Sequence, residues 1–182
     1  MRRTAAVVIL LTLACLAQSD MTPTKTVDHA EFTVVGISVR TNNAQEAAGN
    51  GVIPKQWEKF YKEDIFGKIP DKADHVVYAV YTDYASDKNG DYTFVIGAKV
   101  NDASKVPPEM VARKVPKGKY AVVTTARGPV WQVVPKAWQE VWSLEDKSQL
   151  GGARAYKADF EVYDDRSQNP QDSQVDLLIG LK

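Results

Sequence analysis

A carboxylate set between aromatic residues is the arrangement in this chain best suited to chemistry. It lies in Phe160-Glu161-Val162-Tyr163. Successive strand side chains point to opposite faces, so Glu161 and Tyr163 share one face while Phe160 and Val162 share the other. An earlier segment, Tyr78-Ala79-Val80-Tyr81, has the same parity and places Ala79 and Tyr81 together. An acid beside tyrosines in a concave site suits an organic cation. Charge attracts it, more strongly where water is excluded, and each ring face adds about 0.5–2 kcal/mol of cation–π attraction. Ala79, matched to Glu161, leaves room for a ligand. Trp142 and Trp57 are further candidate wall residues. The plainer alternative is that Glu161 faces solvent beside a lysine and that the tryptophan stripes at helical spacing are ordinary core.

Other chemistries find little support. His29 and His75 are isolated and Cys15 is the one cysteine, so no metal-ligand spacing exists. Gly49-Asn50-Gly51 lacks the lysine of a phosphate loop. Ser38, Ser86 and Ser143 have no nucleophile-elbow context. No cofactor is expected. Formal net charge is zero over 182 residues, which argues against a nucleic-acid partner, since that needs a basic face.

The elements that must position these residues come in two rounds. In the first, Phe32 to Arg40 reads as a strand. Pro54 opens a helix, with Ile53, Trp57, Phe60 and Tyr61 at helical spacing. His75 to Tyr84 and Asp91 to Val100 form a hairpin around Asn89-Gly90. Pro107-Pro108 marks a linker. In the second round, Lys119 to Ala126 is a strand, and Trp131, Val134, Trp138, Val141 and Trp142 fall on one helical face. Ala158 to Asp164 and Val175 to Leu181 are strands around a polar loop at 165–173.

The rounds superpose. Tyr78 to Asp83 matches Phe160 to Asp165 at an offset of 82, Phe94-Val95-Ile96-Gly97 matches Leu177-Leu178-Ile179-Gly180 at 83, and Trp57 matches Trp138 at 81. The expected fold is α+β: two strand–helix–strand–strand repeats, about 30–103 and 116–182, related by a pseudo-twofold. They form an antiparallel sheet with two helices on one face and a ligand cleft between the repeats. The apolar Phe160 and Val162 face is expected to pack under a helix.

The first 29 residues are read separately. Arg2 and Arg3 precede an apolar run, Ala5 to Ala14, that is about half the ~20 residues needed to span a bilayer. Residues 1–17 therefore read as a signal peptide, with a lipid anchor at Cys15 as the alternative to plain secretion. Residues 18–29 read as a polar leader. The protein is expected to be exported to the periplasm or cell envelope, either soluble or as a lipoprotein.

Several segments taken together resemble the GyrI-like small-molecule-binding family, which is similar to the effector-binding domain of AraC-type and MerR-type regulators. They are Val35-Gly36-Ile37, Ile53 to Trp57, Tyr78 to Tyr84, Gly90 to Thr93, Trp138 to Trp142, Ala158 to Tyr163 and Ile179-Gly180. The resemblance spans about Ala30 to Lys182. It implies a ligand cleft between the repeats, with Glu161 as pocket carboxylate and Trp142 as the tryptophan following the second helix. It also implies lipophilic cations as ligands. The chain lacks the DNA-binding domain of such regulators, so the reading is a stand-alone binding module. Two others stay open: a hydrolase of reactive electrophiles using Glu161 and Tyr163, and a protein–protein inhibitory module.

Overall fold

A computed structural model describes residues 25–182. The signal-peptide expectation and Cys15 lie outside the described residues. Eight strands build one antiparallel sheet in the order β1-β6-β8-β7-β3-β4-β2-β5. The strands are β1 (Lys25–His29), β2 (Phe32–Thr41), β3 (Lys72–Thr82), β4 (Tyr92–Val100), β5 (Val111–Val115), β6 (Gly118–Thr124), β7 (Arg154–Tyr163) and β8 (Asp176–Leu181). Two main helices accompany them, α1 (Ile53–Lys62) and α2 (Val130–Asp146).

The expected repeat is present. From the central β7/β3 ladder outward, one half reads β3-β4-β2 and the other β7-β8-β6. Each is the second, third and first strand of its repeat, so the halves are mirror-ordered as a twofold requires. The axis can be located. Ala79 and Glu161 are Cα partners across the ladder, and they are also the positions matched by the 82-residue offset. A residue that faces its own repeat-mate stands on the axis.

Two additions were not expected. Residues 25–29, read as polar leader, form β1 against β6, pairing Lys25 with Val122 and His29 with Gly118. The backbone ladder holds this segment despite its polar side chains. Val111–Val115, beyond the double proline, forms β5 against β2.

The connection between β1 and β2 dictates the sheet's shape. His29 and Phe32 bracket a two-residue link, yet their strands stand at opposite ends of a six-step order. In a flat sheet those strands would lie about 29 Å apart, whereas three residue steps span about 11 Å at most. The sheet must therefore curl until its ends approach. Phe32 indeed meets Phe160 at 5.2 Å between ring centroids, although β4 and β3 stand between their strands.

The curl decides which face the helices take. The Phe160 face turns inward and is filled by Phe32, Tyr78, Val80, Tyr120 and Leu178. This corrects the expectation that Phe160 and Val162 pack under a helix, because the sheet's own curvature buries that face. Both helices lie on the other face, the one that carries Glu161. The α1 residue Phe60 packs with Ile37, Ala79 and Ile96, and the α2 residues Ala137 and Val141 pack with Val123, Leu177 and Ile179. At Gly36 and Gly97, paired across β2 and β4, an added Cβ would stand 2.0 Å from a facing carbonyl oxygen. Side chains are excluded there by the closeness of the two backbones.

Candidate functional site

The two helices leave a pocket of about 700 Å³ over the centre of the sheet. All four tryptophans of the chain line it, Trp57 from α1 and Trp131, Trp138 and Trp142 from α2, together with Tyr61, Tyr81, Tyr84, Tyr92 and Tyr163. Pro54 begins α1 without an amide hydrogen to satisfy. The 3.6-residue period then stacks Trp57 and Tyr61 on one side, their rings 5.8 Å apart at 22°. On α2 the same period aligns Trp131, Val134, Trp138 and Trp142 toward the pocket.

Glu161 forms the floor. Only 1% of its surface is exposed. Tyr81 donates its hydroxyl to Oε1 at 2.8 Å, the Trp138 indole donates to Oε1 at 2.6 Å, and Tyr163 donates to Oε2 at 2.6 Å. Burial pushes the Glu161 carboxyl up, and the three donors pull it part of the way back. Burial and the Glu161 charge together push the Tyr81 and Tyr163 hydroxyls well above the usual phenol range. Each hydrogen bond to an ionised group contributes about 1.5–3 kcal/mol, against a desolvation cost of several kcal/mol for a buried ion. The donors thus offset part of the cost of ionising Glu161 here. Among the described residues, none of the ion pairs includes Glu161.

The surrounding rings repeat the pseudo-symmetry. Trp57 meets Tyr163 at 4.8 Å and 66°, while Trp138 meets Tyr81 at 4.8 Å and 64°. Each tryptophan packs edge-on against the tyrosine of the other repeat.

A second buried charge lies two residues away. Asp159 shares the Glu161 face of β7, about 7 Å along the strand, and is fully buried. It accepts from Arg154 Nη2 at 2.6 Å, from the Tyr84 hydroxyl at 2.6 Å and from the Gly180 amide at 2.8 Å. Arg154 and Asp159 are five apart and would face opposite ways in a regular strand. The register shift between them and the left-handed Tyr156 (φ 52°) bring both to one side. The Arg154 guanidinium then lies 4.3 Å from the Tyr156 ring and 3.2 Å from Glu145 of α2.

The third acid is Glu46, in the short helical turn Glu46–Asn50 before α1. Its carboxylate accepts from the Thr41 hydroxyl at 2.6 Å and from the Val52 and Ile53 amides at 2.9 and 3.3 Å, at the positive end of α1.

Of the sequence-predicted site residues, Glu161, Tyr163, Tyr81, Trp142 and Trp57 all border the pocket. Ala79 does not. It faces Glu161 across the ladder but is sealed in the core beneath Phe60, Trp57 and Trp138, so its small side chain opens no ligand space. Trp142 lines the pocket, but Trp138, one turn earlier, is the tryptophan that reaches the carboxylate. The repeat offset pairing Trp57 with Trp138 was the signal that could have found it. Arg154, Glu46 and Tyr84 had no sequence signal, because their roles depend on a bulge, an irregular helical turn and a loop. No group of histidine, cysteine or carboxylate side chains among the described residues could hold a metal.

Comparison with known proteins gives consistent results. The chain is 33% identical over 150 residues to YobU of Bacillus subtilis, described as a candidate transcriptional regulator, covering 81% of this chain and 90% of YobU. It is 32% identical over 166 residues to the transcriptional regulator BrlR of Pseudomonas aeruginosa, covering 85% of this chain and 54% of BrlR. Its fold matches the integron cassette protein VCH_CASS2 of Vibrio cholerae with a TM-score of 0.71 at 30% identity, covering 89% and 97% of the two chains. It also matches SAV2435, solved with bound tetraphenylphosphonium, with a TM-score of 0.71 at 17% identity, covering 88% and 94%, a likeness of fold. The family described as Cass2, integron-associated effector binding protein, matches residues 26–181. The chain therefore belongs to the Cass2 branch of the GyrI-like effector-binding proteins, a family of small-molecule-binding domains.

Proposed function

We propose that this protein binds lipophilic aromatic cations, with Glu161 as the counter-charge. The observation that carries this reading is a carboxylate 1% exposed, held by three neutral donors, with no basic side chain in ion-pair contact among the described residues. Aromatic walls supply dispersion and cation–π attraction in place of water. A cation 4 Å from such a carboxylate gains about 4 kcal/mol at an effective dielectric of 20. The three protein donors already occupy much of the carboxylate, which favours ligands whose charge is spread over rings over those that need to donate several hydrogen bonds. The tetraphenylphosphonium complex of the fold neighbour SAV2435 lends support.

The test is titration with tetraphenylphosphonium, read by calorimetry, on the native protein and on Glu161→Gln. Saturable binding that the substitution weakens about tenfold or more is the expected result. Equal affinity in both would refute the carboxylate assignment. We further propose that the module works in the cell envelope, on the strength of the apolar run at Ala5 to Ala14 after Arg2 and Arg3. Cell fractionation would test this, and recovery in the cytoplasm with an intact N-terminus would refute it.

A further inference from the structure

The charges around the pocket suit more than a single cation. Four acidic or basic side chains line it: Glu46 and Glu161 against Lys88 and Arg154. Both bases are already engaged. Arg154 is bound to Asp159 and Glu145, and Lys88 is bound to Asp146. Among the described residues, neither acid has a basic partner in ion-pair contact. The pocket thus presents two carboxylates, one on its floor and one on its wall, whose charge no side chain cancels. The amides that meet Glu46 stand at a helix end worth about half an elementary charge, so they offset that acid only in part.

Tyr92 ties the two together. Its ring packs 5.4 Å from Tyr81 and 5.7 Å from Tyr84, and its hydroxyl donates to Asn43 at 3.1 Å. Burial pushes that hydroxyl upward, and the charges of Glu46 and Glu161 push it the same way. One phenol therefore lies in the field of both acids, with an aromatic wall running between them.

We propose that Glu46 forms a second cation subsite, and that the preferred ligands are elongated aromatic dications with one centre over Glu161 and the other beside Glu46. This rests on the cation-binding role of Glu161. A ligand with two joined centres enters the second subsite at high effective concentration, but only when its linker matches the span.

The experiment uses α,ω-bis(pyridinium)alkanes with linkers of three to ten carbons, each compared with the N-alkylpyridinium of equal chain length. Binding to the full protein is read by calorimetry. One linker length should bind about tenfold or more tighter than its monocation, and shorter and longer members should lose that advantage. In Glu46→Gln, whose amide oxygen can still accept from Thr41 and Val52, the ratio of dication to monocation affinity should fall toward one. A native protein with no linker optimum, or a ratio unchanged in Glu46→Gln, overturns the second subsite. Failure of the underlying reading looks different, because Glu161→Gln would then leave monocation affinity unaltered.

Discussion

Tyr81 and Tyr163 are repeat-mates 82 residues apart, and each donates its hydroxyl to a different oxygen of the one carboxylate on the pseudo-axis. The duplicated halves thus contribute equivalent donors to a single acceptor. Each donor favours the ionised form of Glu161, so losing one raises an already elevated carboxyl pKa. Cation binding needs the ionised form. Tyr81→Phe and Tyr163→Phe should each move the pH midpoint of tetraphenylphosphonium binding upward, by about one unit for a bond worth ~1.5 kcal/mol. Affinity measured across pH would show it. A midpoint unmoved in both variants would mean the hydroxyls do not control the acid.

Glu161 should weaken the ligand-free fold when ionised. Burial raises its folded pKa above the unfolded value. Below the unfolded value both states are protonated and this residue makes no difference. As pH rises from there through the folded value, the unfolded chain releases the proton first, and stability falls. Glu161→Gln removes that loss and keeps an acceptor for Tyr81 and Trp138. The variant should melt at or above the native temperature at pH 7 while binding cations about tenfold less tightly or worse. Melting curves from pH 4 to pH 8 check the sign. A variant that becomes steadily less stable than the native protein as pH rises would contradict it.

Trp138 and Trp142 separate wall from anchor. Trp138→Phe removes the indole donor to Glu161 as well as part of the ring that meets Tyr81. It should cost about tenfold or more in cation affinity. Trp142→Phe keeps an aromatic wall and should stay within about threefold. Calorimetric titration of both variants decides the matter, and the reverse order would restore Trp142 as the key tryptophan.

Much of this architecture can be read from the residues, and the missing parts have physical causes. The offset relating Tyr78–Asp83 to Phe160–Asp165 gives the repeat, the pseudo-axis and the pairing of Tyr81 with Tyr163. Alternation sets Glu161 opposite to Phe160. It does not say which face the helices cover, because the curled sheet buries both faces. Polar β1 shows no amphipathic signal, since its place is fixed by ladder bonds to β6. Trp138 and Trp142 lie one turn apart on one stripe, and periodicity cannot rank them. Arg154 reaches Asp159 only because Tyr156 breaks the alternation.

The Arg154 cluster should be a stability element. Arg154→Met leaves Asp159 buried beside Tyr84 and Gly180 without its cation. Breaking a buried pair from one side costs about 3–5 kcal/mol, which for a domain of this size lowers the melting temperature by roughly 6–20 °C. Thermal denaturation measures it. A fall of less than about 3 °C would show that solvent or another group takes over the carboxylate.

The position of Ala79 opposite Glu161 bears on how such a receptor can arise. In a homodimer of one repeat, whatever stands on the axis must confront its identical twin. Two glutamates at facing positions would stand about 5 Å apart and would compete for ionisation, sharing a proton, while two alanines would carry nothing. A single undivided charge at the centre requires unlike residues there, which a homodimer cannot supply and a covalent fusion of the halves, free to diverge in sequence, can.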